Sequence, residues 1–172
     1  MSLLKWLGLA EESEKTVDSL GEIERALTEL DPREARYLAC FAYILHRIAS
    51  ADHDISEHES RLIEQLVATR GGLPPDRAAL VTRIARTEHV RHGGTEDFIV
   101  AREFAKDATH EQKLALLDCL FAVSAIDHSI RTVEDNEVRR VAAEIKLDHA
   151  DYIAVRAAHA SHLASRKAGG RR

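Results

Sequence analysis

Two stretches of this chain carry the side chains best suited to chemistry. Asp52-His53-Asp54-Ile55-Ser56-Glu57-His58-Glu59 and Asp127-His128-Ser129-Ile130-Arg131-Thr132-Val133-Glu134 each present an aspartate, then a histidine, then a glutamate at the eighth position. Carboxylate oxygens gathered from both stretches would suit a hard or borderline divalent cation such as Ca2+, Mg2+ or Zn2+. The candidate metal set is therefore Asp52, Glu59, Asp127 and Glu134, with His53 and His128 adjoining the aspartates. A structural reading competes with it. Ser56 to Glu59 is a capping box in which the glutamate reaches back to the Ser56 amide, and an aspartate at a turn commonly bonds its own backbone. An EF-hand is excluded, because Glu57 stands where its loop needs glycine and Ile63 stands where the loop should close.

The other reactive side chains form no constellation. The chain has 10 histidines, but His58, His89, His92, His159 and His162 sit singly on polar stretches, and no HExxH or cysteine-rich ligand spacing occurs. They read as surface residues. There is no GxSxG, no phosphate-cradling glycine loop and no nucleophile with an obvious partner, so no catalytic or cofactor-binding residue is assigned and no enzyme is expected.

The elements that must position the acidic stretches are helices. Apolar residues recur at helical spacing along almost the whole chain, and eight helices fit. The first covers roughly 13 to 29. Asp31 with Pro32 opens the second, the Ser56 capping box opens the third, and Gly71-Gly72 stops it. Pro74-Pro75-Asp76 begins a fourth, His92 to Thr95 form a loop that caps a fifth, and the Thr109 to Gln112 capping box opens a sixth. That sixth helix, 111 to 126, is apolar nearly all round and is expected to be the central, most buried one. A seventh runs from about Thr132 to Lys146, with Thr132 and Asp135 as an alternative cap, and Asp148 caps the eighth.

Sliding the chain along itself lays Leu45–Leu66 over Leu120–Val141 without a gap, at an offset of 75. Asp52 meets Asp127, His53 meets His128, Ile55 meets Ile130, Glu59 meets Glu134 and Ile63 meets Val138. Each half thus repeats a buried helix, an acidic turn and a capped helix. If the halves pack face to face, the four carboxylates approach one another. The expected fold class is all-α, a single-domain bundle with two related halves. A short apolar segment occupies 1–12, the helical domain 13–164 with repeat units at about 32–70 and 109–146, and a basic tail 165–172.

With its acidic turns given twice between apolar helices, the region from Asp31 to Val155 resembles the TerB family. This is the tellurite-resistance-associated helical domain that is also found at the front of membrane-anchored DjlA-type co-chaperones. The family pattern is Ala-Asp-Gly-x-Ile-Ser-x-x-Glu, and this chain departs from it by placing His53 and His128 where the glycine stands and Arg131 where the serine cap stands. Both histidines must then occupy a position where a left-handed backbone is expected. The resemblance implies a non-catalytic, stress-associated domain. It either binds a divalent metal through the paired acidic turns or serves as a metal-independent protein interaction module, with partners in a membrane-associated stress complex. A co-chaperone-like regulator would need a J domain, and no His-Pro-Asp motif is present.

Composition fits this reading. A chain of 172 residues with 45% hydrophobic and 31% charged residues but only 8 Gly and 3 Pro suits one helical domain better than a turn-rich sheet protein. The net charge of -5 offers no global attraction to nucleic acid. Cys40 and Cys119 lie in apolar runs and read as buried thiols of a reducing compartment, so a soluble cytoplasmic protein is expected, at most peripheral to the inner membrane. The opening Leu3, Leu4, Trp6, Leu7 and Leu9 lack a basic leader or a cleavage pattern, and are expected to dock on the domain as a short helix.

Overall fold

Helices begin where the sequence supplies a partner for their first amides. The Asp31 carboxylate accepts from the backbone N–H of Arg33 at 2.9 Å and of Glu34 at 3.4 Å. Ser56 and Glu59 exchange the two bonds of a capping box, as do Thr109 and Gln112. The computed structural model describes residues 3–7, 14–49, 55–87 and 94–163, and the side chains of 14–19 and 94 are not described. Among the described residues the elements are α1 (Leu3–Trp6), α2 (Glu14–Thr28), α3 (Pro32–Ala49), α4 (Glu57–Thr69) and α5 (Pro75–Ala85). They continue as α6 (Gly94–Asp107), α7 (His110–Ser124), α8 (Thr132–Glu144), α9 (His149–Ala158) and a 3-10 turn over Ala160–His162. The described residues contain no strand, and the eight expected helices are α2 to α9.

Helix ends follow local chemistry too. After α4, Gly72 takes φ +71, and a Cβ on Gly71 would lie 2.5 Å from the Val67 carbonyl oxygen and 2.9 Å from Phe41. Glycine is therefore required twice, once for conformation and once for space. The end of α8 makes the same left-handed turn with a non-glycine residue, Lys146 at φ 62. Asp148 is the N-cap of α9, but its side chain makes no cap hydrogen bond.

The core corrects one expectation. The most enclosed helix is α3, in which every residue from Leu38 to Ile48 is buried, whereas α7 keeps a partly open face at Leu114, Ala115, Asp118 and Ala122. α3 lies against α2, α5, α6, α7 and α8, and α7 lies against α3, α4, α8 and α9. His46 and Arg47 make α3 look less apolar than α7 in sequence, yet both are buried because neighbouring helices satisfy them. Leu4 and Leu7 are also buried in the core, while Leu9 of the apolar N-terminal segment lies outside the described residues.

The repeat survives folding closely. α4 and α8 are both 13 residues long, and their boundaries differ by the repeat offset. α5 and α9 occupy corresponding places after them. The halves are joined crosswise, with α3 against α8 and α7 against α4, so neither half buries its apolar stripe alone.

A charge-assisted cluster ties α9 to α8. Asp135 accepts from the Tyr152 hydroxyl at 2.6 Å, and from Arg156 Nε at 2.9 Å and Nη2 at 2.8 Å. This use of Asp135 in a tertiary contact replaces the cap considered for it at the start of α8. Burial raises the Asp135 pKa, but the hydrogen bonds from Arg156 and Tyr152 outweigh it and hold the carboxyl below its ordinary value. A depressed folded-state pKa contributes stability above the unfolded value, and that stability fades as pH falls through the folded value. Asp135→Asn is therefore expected to cost about 2 kcal/mol at pH 7, and the difference from the parent should shrink progressively below about pH 4. Chemical denaturation at several pH values measures this, and a pH-independent loss would show that ionisation of Asp135 contributes nothing.

Candidate functional site

The acidic turns can be followed residue by residue. Asp52 and His53 lie outside the described residues. The exposed Glu59 accepts the Ser56 N–H at 2.9 Å, and its own N–H donates to Ser56 Oγ at 3.2 Å. In the second copy Glu134 accepts the Arg131 N–H at 2.8 Å and the Arg131 guanidinium at 3.1 Å, with its side chain 12% exposed. Arginine has no acceptor to return, so only the glutamate half of the box forms there. Asp127 is exposed and accepts the Ser129 N–H at 3.1 Å. His128 takes φ 70, the left-handed conformation expected where the family pattern has glycine.

These bonds send each glutamate back to the start of its own helix. Among the described residues, no three His, Cys, Asp or Glu side chains converge as a potential metal site. The cysteines offer no nucleophile either. Burial pushes both the Cys40 and the Cys119 thiol up to about 12, far from thiolate formation at neutral pH.

Sequence reasoning missed a charged centre elsewhere. Arg47 of α3, with its side chain only 3% exposed, donates from Nη1 to Glu144 at 2.8 Å and from Nη2 to Glu137 at 2.5 Å. Its Nε lies 3.7 Å from Asp97 of α6 and has no hydrogen-bond partner among the described residues. The Tyr43 hydroxyl donates to the same Asp97 at 2.8 Å. Burial works against the Arg47 charge, but hydrogen bonds to Glu144 and Glu137 outweigh it and raise the guanidinium pKa. Burial and the Asp97 carboxylate also push the Tyr43 phenol upward. One guanidinium thus clamps α3, α6 and α8 without any nucleophile or exchangeable ligand. The signal was present in sequence as a lone arginine inside the Phe41–Ile48 apolar run and as glutamates seven residues apart on one later helix.

His159 also departs from expectation. It is buried, stacked on Phe121 with ring centroids 5.4 Å apart, and bonded to Asp118 at 2.6 Å. It edges an open groove of about 560 Å3 between α4 and the end of α7, where Leu62, Leu66, Ala122, Ala125 and Ile126 supply apolar surface. The groove reaches the acidic turn of the second repeat, where it includes His128.

Residues 37–157 match the family model described as tellurite resistance protein TerB, so the chain belongs to the TerB family. The match opens within α3 and closes within α9, covering both copies of the repeat and both acidic turns. No curated protein and no solved structure matches the chain.

Breaking the Arg47 clamp tests its structural role. Arg47→Met is expected to cost roughly 3–5 kcal/mol at pH 7, because it strands partly buried carboxylates. The loss should diminish in acid, where those carboxylates can protonate. Equilibrium unfolding of Arg47→Met at pH 7 and pH 4 checks both statements, and a loss below 1 kcal/mol would mean that the clamp is dispensable.

Proposed function

We propose that this TerB-family chain is a non-catalytic binding module that works by holding another protein in a reducing, cytoplasmic setting. The observation that carries this reading is the α4/α7 groove, a concave surface of about 560 Å3 with an apolar floor and polar edges. The groups that would serve an enzyme are otherwise engaged: the thiols are buried and protonated, the Arg47 cluster is a closed structural clamp, and Glu59 and Glu134 cap helices. Among the described residues no helix is long and apolar enough to cross a membrane. The tellurite-resistance setting belongs to the family and makes a stress-response assembly the natural place for such a partner.

A second reading keeps the divalent cation. Asp127 is exposed and uses only Oδ1 in its turn, which leaves an oxygen directed at neither the Ser129 amide nor another described group. Ca2+, Mg2+ or Zn2+ held there would draw on Asp52, His53 and His128, with Glu59 and Glu134 orienting the turns. The two readings separate cleanly in one pair of measurements on the full chain. If the interaction reading holds, partner capture is unchanged by chelator and calorimetric titration with the three cations shows no saturable heat. Saturable binding that is abolished in Asp52→Asn/Asp127→Asn, together with chelator-sensitive capture, would replace it with the metal-dependent reading.

A further inference from the structure

The two halves differ most where the repeat predicts that they should agree. At the repeat offset, Arg47, Glu137 and Glu144 of the buried clamp correspond to Ala122, Leu62 and Thr69. The first set fills the junction of α3 with α8 with ion-paired side chains, and the second set lines the groove at the junction of α7 with α4. One junction is closed from within by a long guanidinium side chain. At the other, alanine stands in the guanidinium's place and an open space of about 560 Å3 remains.

Resting on the binding-module reading, we propose that this space is filled from without, by an acidic amphipathic helix of a partner protein. The shape suits such a helix: Leu62 and Leu66 stand one turn apart on α4, facing Ala122 of α7 and Ala125 at its C-cap, which is the kind of trough that receives apolar side chains spaced at i and i+4. Charge complementarity selects the acidic kind. Among the described residues no aspartate or glutamate lines the groove, whereas Arg70, His128, His159 and His162 do, in a chain whose net charge is -5. Asp118, on the partly open face of α7, is engaged with Arg70 at 3.5 Å and His159 at 2.6 Å. The apolar side chains of the partner helix would displace water from the trough, and its flanking carboxylates would meet Arg70 and the histidines.

The test is an NMR titration of the full chain with a synthetic 16-residue helical peptide that carries leucines at i, i+4, i+7 and i+11 and glutamates elsewhere. A second peptide with lysine for every glutamate is the control. The expected result is saturable shifts in the amides of Leu66, Thr69, Ala122 and Ala125 with the glutamate peptide, and affinity weaker by about tenfold or more for the lysine peptide. Ala122→Arg, which puts into this junction the kind of side chain that closes the other, should abolish those shifts. Arg70→Glu, at a side chain that is 55% exposed, should weaken the glutamate peptide and strengthen the lysine peptide. Absence of saturable shifts, equal binding of both peptides, or shifts that map outside the groove would overturn the proposal. A concentration-dependent dimer that dissociates in Ala122→Arg would overturn it in favour of a second copy as the occupant. If partner capture persists in Ala122→Arg, the module reading stands and its surface lies elsewhere; if no partner is captured by the parent chain, that reading falls independently.

Discussion

Burying a polar side chain is costly unless its neighbours compensate it, and α3 is a deeply enclosed helix with a histidine and an arginine in it. From Leu38 to Ile48 it has no solvent-facing residue, so His46 and Arg47 must find partners on the helices around them. α5 supplies the Ala85 carbonyl to His46 Nδ1, α8 supplies Glu137 and Glu144 to Arg47, and α6 places Asp97 beside the same guanidinium. The position of three surrounding helices is thereby tied to two side chains. Apolar packing around Phe41, Ile44 and Leu45 provides the driving force for enclosing α3, and the polar contacts restrict which neighbours can enclose it.

The duplicated architecture makes this specialisation visible. The crosswise packing of α3 on α8 and α7 on α4 has two junctions of similar origin, and they have diverged in opposite directions. In one, charge is internalised and compensated. In the other, small and apolar residues leave a groove, while the polar role moves to His159, which Asp118 and the face of Phe121 hold in place. A bundle built on a repeat can use one junction for cohesion and leave the other for contact, because each helix pair needs only part of its surface to complete the core.

The acidic turns show how one residue type can serve two ends. Glu59 and Glu134 satisfy the first amides of α4 and α8, where the positive end of the helix dipole also favours a carboxylate. Asp127 and His128 shape the turn that leads into Ile130, whose side chain is 1% exposed and whose N–H bonds the His162 carbonyl at 2.7 Å. The turn therefore pins the 3-10 turn after α9 to the second repeat. Duplication of such a turn is explained by duplicated folding requirements as readily as by a shared ligand, which is why its chemistry must be measured on the intact chain.

Local determinants were legible in the sequence. The caps at Asp31, Ser56 and Thr109, the glycine stop after α4, the left-handed position of His128, the two-fold repeat and the TerB family all follow from short-range patterns and spacing, because a helix start or turn is decided by groups within four or five residues. The tertiary structure decided what depends on residues far apart in the chain. It paired Arg47 with Glu137 and Glu144 some ninety positions on, buried α3 more deeply than the more apolar α7, enclosed His159, and opened the groove at Ala122. Periodicity reports which face of a helix is apolar, but not how many neighbours will cover it. That number follows from how the two halves cross, and the crossing is settled by side-chain volume and charge compensation across the whole core.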